Sequence, residues 1–238
     1  MTKRIKCHGV AAGMAFALLA SIPARAEDAP PPPYLMTEAN TVTIAVQWNA
    51  DSLKPLLPAG IVPVDDMSGG LNVYTAERGY GLSPYSAAYA YVNVTGWDTV
   101  QGGPARHIIG GWYGPDAKVA AAMRQHFGAE VETGQSSQRA EGDTWIGEGG
   151  DDGGGRISLV IKPGADCVAA AGTLNYVAPT EAGAGLGLLQ IPFEGQFCPG
   201  EAVSVEIEGP EGSPLGTAKV AAILGGGQLK AGAFAFVK

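Results

Sequence analysis

The sequence has little charge, few histidines and few cysteines. Charged residues make up 16% of its 238 positions, and it contains three histidines and three cysteines. His107 and His126 lack an i, i+4 partner and a neighbouring cysteine, so we expect no metal site. Gly183-Ala184-Gly185-Leu186-Gly187 is a poor match to a dinucleotide loop, since the third-glycine spacing and a following helix are missing. We therefore expect no cofactor, and no residue is assigned a catalytic role.

No uncharged apolar run reaches the roughly 20 residues that a transmembrane helix needs. The longest such run, Val10 to Ile22, follows three basic residues and precedes Ala24-Arg25-Ala26. A basic start, a short apolar run and a small-x-small site are typical of a secretory signal. We therefore predict that residues 1–26 are a signal peptide and that the mature protein is periplasmic or secreted. The alternative is a buried N-terminal helix.

The sequence also lacks a basic cluster. Removing the four basic residues of the signal from the formal net charge of −8 leaves −12 for the mature chain. This acidic balance argues against nucleic acid and anionic membranes as partners. A small-molecule ligand is the expected partner, without membrane insertion after signal cleavage.

Two cysteines, Cys167 and Cys198, are left in the mature chain. In an oxidising compartment such a pair most simply forms a disulfide bond. Two buried free thiols are the alternative.

Residues 27–40 contain four consecutive prolines and are predicted to be an extended leader. Residues 41–238 are predicted to form one domain. Many short strands, glycine-rich turns and a helix from Asp116 to Phe127 indicate a mostly β antiparallel barrel or sandwich. A further short helix is expected from Ser52 to Leu57.

The segment Tyr85 to Thr95 is predicted to be a strand with two different faces. Tyr85, Ala87, Tyr89 and Tyr91 share one face, because side chains alternate along a strand. Small and β-branched residues occupy the other face.

Four segments resemble the acetoacetate decarboxylase superfamily in their order and spacing. They are DSLKPLLPAGI at 51–61, GLSPYSA at 81–87, RQHFGAEV at 124–131, and Gly216 with LKAGAF at 229–234. The resemblance spans about 41–236 and implies a cone-shaped, closed antiparallel β-barrel around a mostly apolar cavity. In that family a lysine, kept neutral by desolvation or a nearby cation, forms an imine with a β-keto acid.

The sequence departs from this family at the positions that the chemistry needs. The place of the lysine falls on Val131, after Glu130, and the place of a strand glutamate falls on Ala87. The resemblance then implies that Tyr85, Ala87, Tyr89 and Tyr91 point into the barrel. Val131 is expected to face them, with Glu130 and Glu132 turned away. Arg124 is expected at the rim, where it either binds a carboxylate or phosphate of the ligand or pairs with a surface acid.

Three functions remain open at this point. The first is an exported, non-catalytic barrel that binds a small apolar or amphiphilic molecule. The second is a decarboxylase or related lyase for a β-keto acid, in which a lysine such as Lys118 or Lys162 has taken over the chemistry. The third is a structural envelope protein with a filled barrel.

Overall fold

The computed structural model describes residues 29–97, 99, 103–180 and 185–237. The segment predicted to be the signal peptide lies outside these residues. Strand β1 begins at Tyr34, so part of the predicted leader belongs to the domain. The described part of the chain contains no helix long and apolar enough to cross a membrane.

The described chain is mostly β, with eleven strands and short helices. The strands are β1 Tyr34–Trp48, β2 Ser68–Tyr80, β3 Tyr85–Val94, β4 Ala105–Gly114, β5 Glu132–Thr133, β6 Gln135–Glu141, β7 Thr144–Gly150, β8 Arg156–Pro163, β9 Val168–Pro179, β10 Leu186–Glu208 and β11 Val220–Phe236. The helices are α1 Ala50–Leu53, followed by a 3₁₀ turn Lys54–Leu56, then α2 Ala117–Phe127 and α3 Pro214–Thr217.

Seven strands close into a ring. Their order is β11-β1-β2-β3-β4-β9-β10, and β10 pairs with β11 to complete the circuit. Strands β8, β7 and β6 continue outward from the second half of β10. The mostly β fold predicted from the sequence is confirmed.

The ring is antiparallel at every junction except one. Strands β4 and β9 run parallel and pair only at Arg106 and Tyr176. The predicted antiparallel arrangement therefore holds around the ring except at this one junction. The reason is topological, because α2 and strands β5 to β8 intervene between β4 and β9 and bring the chain back in the same direction.

The two faces of the ring strands belong to two separate cores. On β3, Tyr89 and Tyr91 point to the interior of the ring, while Ala88 and Ala90 point outward. The outer core is completed by residues such as Leu159 of β8, because β6 to β8 fold back over β1 to β3. The prediction that β3 has two distinct faces is confirmed.

Two predicted helices are present with shifted ends. Helix α2 begins after Asp116, whose carboxylate accepts a hydrogen bond from the backbone N–H of Lys118 at 2.9 Å. It ends at Gly128, which adopts the left-handed conformation (φ 61°) that favours glycine. The short helix predicted after Asp51 is split into α1 and the 3₁₀ turn.

A disulfide bond links Cys167 to Cys198. It joins the start of β9 to the middle of β10, two neighbouring strands of the ring. The predicted pairing is therefore present in the structure.

Candidate functional site

The interior of the ring holds a cavity of about 390 Å³. This volume lies within the usual range of small-molecule sites, about 300–1,000 Å³. Side chains from β1 to β4 and β9 to β11, and from the end of α2, line it. The cavity is therefore built by the strands of the ring itself.

One side of the cavity is lined by tyrosines and a single arginine. We call this side the phenol wall: Tyr89 and Tyr91 of β3, Arg106 of β4 and Tyr176 of β9. The opposite side consists of apolar side chains from β10 and β11. We call it the phenylalanine wall: Phe193, Phe197, Leu229 and Phe234.

Hydrogen bonds connect the members of the phenol wall. Asn72 Nδ2 donates to the Tyr89 hydroxyl at 2.9 Å, and the hydroxyls of Tyr89 and Tyr176 lie 2.9 Å apart. The Arg106 guanidinium stacks over the Tyr91 ring, 4.6 Å from its centroid, and interacts with the Tyr176 hydroxyl. This arrangement places the cation beside two aromatic rings at the edge of an apolar cavity.

The phenols of Tyr89 and Tyr91 are neutral. Burial raises the pKa of Tyr89 well above its usual range, and neighbouring phenols raise it further. Burial also raises the pKa of Tyr91, although the nearby Arg106 charge acts to lower it. Each hydroxyl is therefore a hydrogen-bond donor and acceptor for a ligand, and not a base.

Arg106 remains a cation in this environment. Burial acts to lower the pKa of its guanidinium, but the neighbouring phenols act in the opposite direction and the net shift is upward. Within the described residues, no carboxylate forms an ion pair with Arg106. Its positive charge is therefore balanced by no acidic side chain that the structure describes.

The predicted site residues fall into three groups. Tyr89 and Tyr91 line the cavity, as the alternation along β3 predicts. Tyr85, Ala87 and Val131 are buried in the same hydrophobic core but do not border the cavity. Arg124 is exposed and does not border the cavity, and its Nη1 donates to the carbonyl oxygen of Val131 at 2.8 Å.

The expected orientation of Glu130 was wrong, whereas buried Val131 and exposed Glu132 agree with the expectation. Val131 lies in the connection between α2 and β5, so the alternation of a strand does not apply to it. Glu130, which was expected to point away, is exposed and borders the cavity. Glu132 is exposed on the short strand β5.

The sequence analysis missed Arg106 and Tyr176. The sequence pattern predicts a strand from Arg106 to Ile109, and a charged side chain at the start of a strand is normally solvated. The sequence nevertheless contains a hint that Arg106 is buried, because the rest of β4 is almost entirely apolar or glycine. A lone charge in such a strand is costly to bury without a partner and is often functional.

Several solved structures share this fold. Acetoacetate decarboxylase from Legionella pneumophila subsp. pneumophila str. Philadelphia 1 is 16% identical with a TM-score of 0.65, over 95% of this chain and 96% of that one. The enduracididine biosynthesis enzyme MppR complexed with pyruvate is 12% identical with a TM-score of 0.61, over 94% and 95%. An acetoacetate decarboxylase-like enzyme from Sphingomonas wittichii RW1 is 15% identical with a TM-score of 0.57, over 93% and 96%.

At these identities the likeness establishes the fold. The chain has the acetoacetate decarboxylase-like fold that its sequence motifs predicted. No protein-family model matches the chain. No curated protein matches it either.

Proposed function

We propose that the chain is an exported barrel that binds a small apolar or amphiphilic molecule inside its ring, without Schiff-base chemistry. The observation that carries this proposal is the cavity itself, with one polar and one apolar wall. A few polar groups set in a mostly apolar cavity are the usual composition of a small-molecule site. The open volume also speaks against a filled structural barrel.

The positions of the lysines favour binding over decarboxylation. Lys118 is exposed on the first turn of α2, and Lys162 is exposed and ion-paired with Asp143. No lysine of the described chain lines the cavity. A β-keto acid in the cavity would therefore meet no described amine with which to form an imine.

The disulfide bond supports the proposed export. Disulfide bonds persist in oxidising compartments and are rare in the bacterial or eukaryotic cytosol. If the signal is processed as proposed, mass spectrometry of the exported protein finds Glu27 at the N-terminus. A soluble product that still begins at Met1 would contradict this part of the proposal.

Binding inside the ring can be tested with a neutral fluorescent probe, N-phenyl-1-naphthylamine. Ala170 lines the cavity from β9, whereas Ala171, the next residue, is exposed and does not. Ala170→Trp fills part of the cavity and should abolish the fluorescence increase, while Ala171→Trp is the matched control and should preserve it. No probe binding to the wild-type protein, or equal binding by both variants, would overturn the proposal.

Schiff-base chemistry can be tested separately. Borohydride added together with acetoacetate should trap no covalent adduct on the protein, because the cavity offers no described lysine. Intact-mass measurement detects such an adduct directly. An adduct mapped to Lys118 or Lys162 would favour the lyase function instead.

A further inference from the structure

The contacts of the phenol wall leave hydrogen-bond donors in excess. The chain of contacts runs from Asn72 through the Tyr89 and Tyr176 hydroxyls to Arg106. Both ends of this chain are donors, since Asn72 donates through Nδ2 and an arginine has no acceptor atom. The two hydroxyls between them share one hydrogen bond. Whichever hydroxyl donates in it, the proton of the other has no acceptor within the chain of contacts.

The same place has a surplus of positive charge. Arg106 is partly buried, borders the cavity and has no ion-paired carboxylate among the described residues. Its guanidinium carries five N–H donors, of which the face of Tyr91 and the hydroxyl of Tyr176 engage only part. Glu130 also borders the cavity, but it is exposed, and no ion pair among the described residues joins it to Arg106. An acceptor that carries negative charge would satisfy both surpluses at once.

We propose that Arg106, together with the hydroxyls of Tyr89 and Tyr176, binds the carboxylate of an amphiphilic acid whose apolar tail lies against the phenylalanine wall. This inference rests on the function proposed above and names its ligand class. A planar carboxylate matches the fork of a guanidinium and accepts a phenolic hydrogen bond at the same time.

The opposite wall fits the tail of such an acid. Phe193 and Phe234 stack with their ring centroids 6.2 Å apart, and Leu229 and Phe197 extend the same apolar surface. These four side chains contribute no polar group to the cavity. A ligand that is charged at one end and apolar at the other therefore meets complementary surfaces at both ends.

The test compares decanoate with decan-1-ol, which has the same tail and no charge. Both are titrated near neutral pH against the mature protein loaded with N-phenyl-1-naphthylamine, and probe displacement gives each affinity. We expect the wild-type protein to bind decanoate at least about tenfold more tightly than decan-1-ol, because a charged hydrogen-bonded anchor is worth at least that factor.

Substitutions then locate the preference for the acid. Arg106→Gln should abolish it while leaving the affinity for decan-1-ol within about twofold. Tyr176→Phe keeps the aromatic side chain, removes only its hydroxyl, and should reduce the preference. This variant still tests the proposal if Arg106→Gln fails to fold. Arg124→Gln is the matched control, since Arg124 is an arginine outside the cavity, and it should leave the preference unchanged.

The outcomes separate this inference from the proposed function. Equal affinity of the wild-type protein for the acid and the alcohol would overturn the proposed carboxylate-binding site and leave the binding function standing. The same follows if Arg106→Gln or Tyr176→Phe retains the full preference. Failure of the probe to bind the wild-type protein would overturn the binding function, and this inference with it.

Discussion

The two walls of the cavity differ in how their side chains are held in place. In the phenol wall, hydrogen bonds join Tyr89 to Asn72 and Tyr176, and a cation stacks on Tyr91. In the phenylalanine wall, the side chains have only apolar contacts, and the strand β10 is tied to β9 by a disulfide bond. Under the proposed function, we therefore expect the phenol wall to set which ligand binds, and the phenylalanine wall to contribute mainly to stability and to non-selective affinity.

The two walls also differ in how extensively their strands pair within the ring. Strands β10 and β11 pair through several residues, whereas β4 and β9 meet at the single pair Arg106 and Tyr176. The charged end of the proposed site therefore lies at the least extensively paired junction of the ring. At this junction the side chains of Arg106 and Tyr176 also interact, in addition to the pairing of their backbones.

The largest expected loss of stability follows removal of the disulfide bond beside the phenylalanine wall. Replacing both Cys167 and Cys198 by alanine should lower the free energy of unfolding by about 3–4 kcal/mol, because the bond closes a long loop in the unfolded chain. Urea unfolding measures the change. Wild-type protein kept in a reductant should show the same loss, and an unchanged unfolding midpoint would show that the bond contributes nothing.

A truncation in the phenylalanine wall should reduce stability without altering selectivity. Phe234 is buried and contacts the rings of Tyr74 and Phe193. Phe234→Ala should lower the free energy of unfolding by about 3 kcal/mol, as other large-to-small core substitutions do. The same variant should weaken the binding of decanoate and of decan-1-ol by similar factors. A change in their affinity ratio would break the division of roles between the two walls.

A truncation in the phenol wall should alter the ligand preference and cost little stability. Tyr89→Phe removes the hydroxyl that contacts Asn72 and Tyr176, and should lower the free energy of unfolding by only about 1 kcal/mol. The same change should reduce the preference for decanoate over decan-1-ol. If the preference stays while stability falls by several kcal/mol, the phenol wall is a structural network and not a ligand site.

The smallest expected effect is on the acid sensitivity of folding. Burial lowers the pKa of His107 below its ordinary 6.5, although its hydrogen bond to the Val177 carbonyl oxygen and the charge of Glu130 act in the opposite direction. Below 6.5 the unfolded chain therefore binds more protons than the folded chain. Stability should rise with pH across this window and fall on acidification.

His107→Gln should remove this contribution. Urea unfolding at several values between about pH 7.5 and pH 5.5 should give a shallower slope for the variant than for the wild-type protein. Parallel slopes would mean that His107 titrates alike in the folded and unfolded chains.

The sequence predicted strand β3 well, and this strand contains no glycine. Strand β3 was placed correctly, and its tyrosine face does point into the ring. By contrast, the sequence pattern predicts two shorter strands in place of β10, at 187–191 and 203–208, and two in place of β11, at 218–224 and 231–237, separated by glycine turns. The structure has single long strands across these glycines.

The physical reason is the use of glycine for close packing rather than for turning. A Cβ at Gly227 would come within 2.5 Å of the Phe197 ring, so this position in β11 needs glycine although the strand continues. A sequence pattern does not distinguish this close approach from a turn. The sequence also missed Arg106 and Tyr176, because their contact depends on a pairing between residues 70 positions apart, which a local pattern does not reveal.

The most direct test of the account is a crystal structure of the mature protein grown with decanoate. We predict density for the acid inside the ring, with its carboxylate about 2.7–3.2 Å from the Arg106 guanidinium and its tail against Phe193 and Phe234. A cavity packed solid with side chains, or decanoate bound only on the outer surface, would contradict the account.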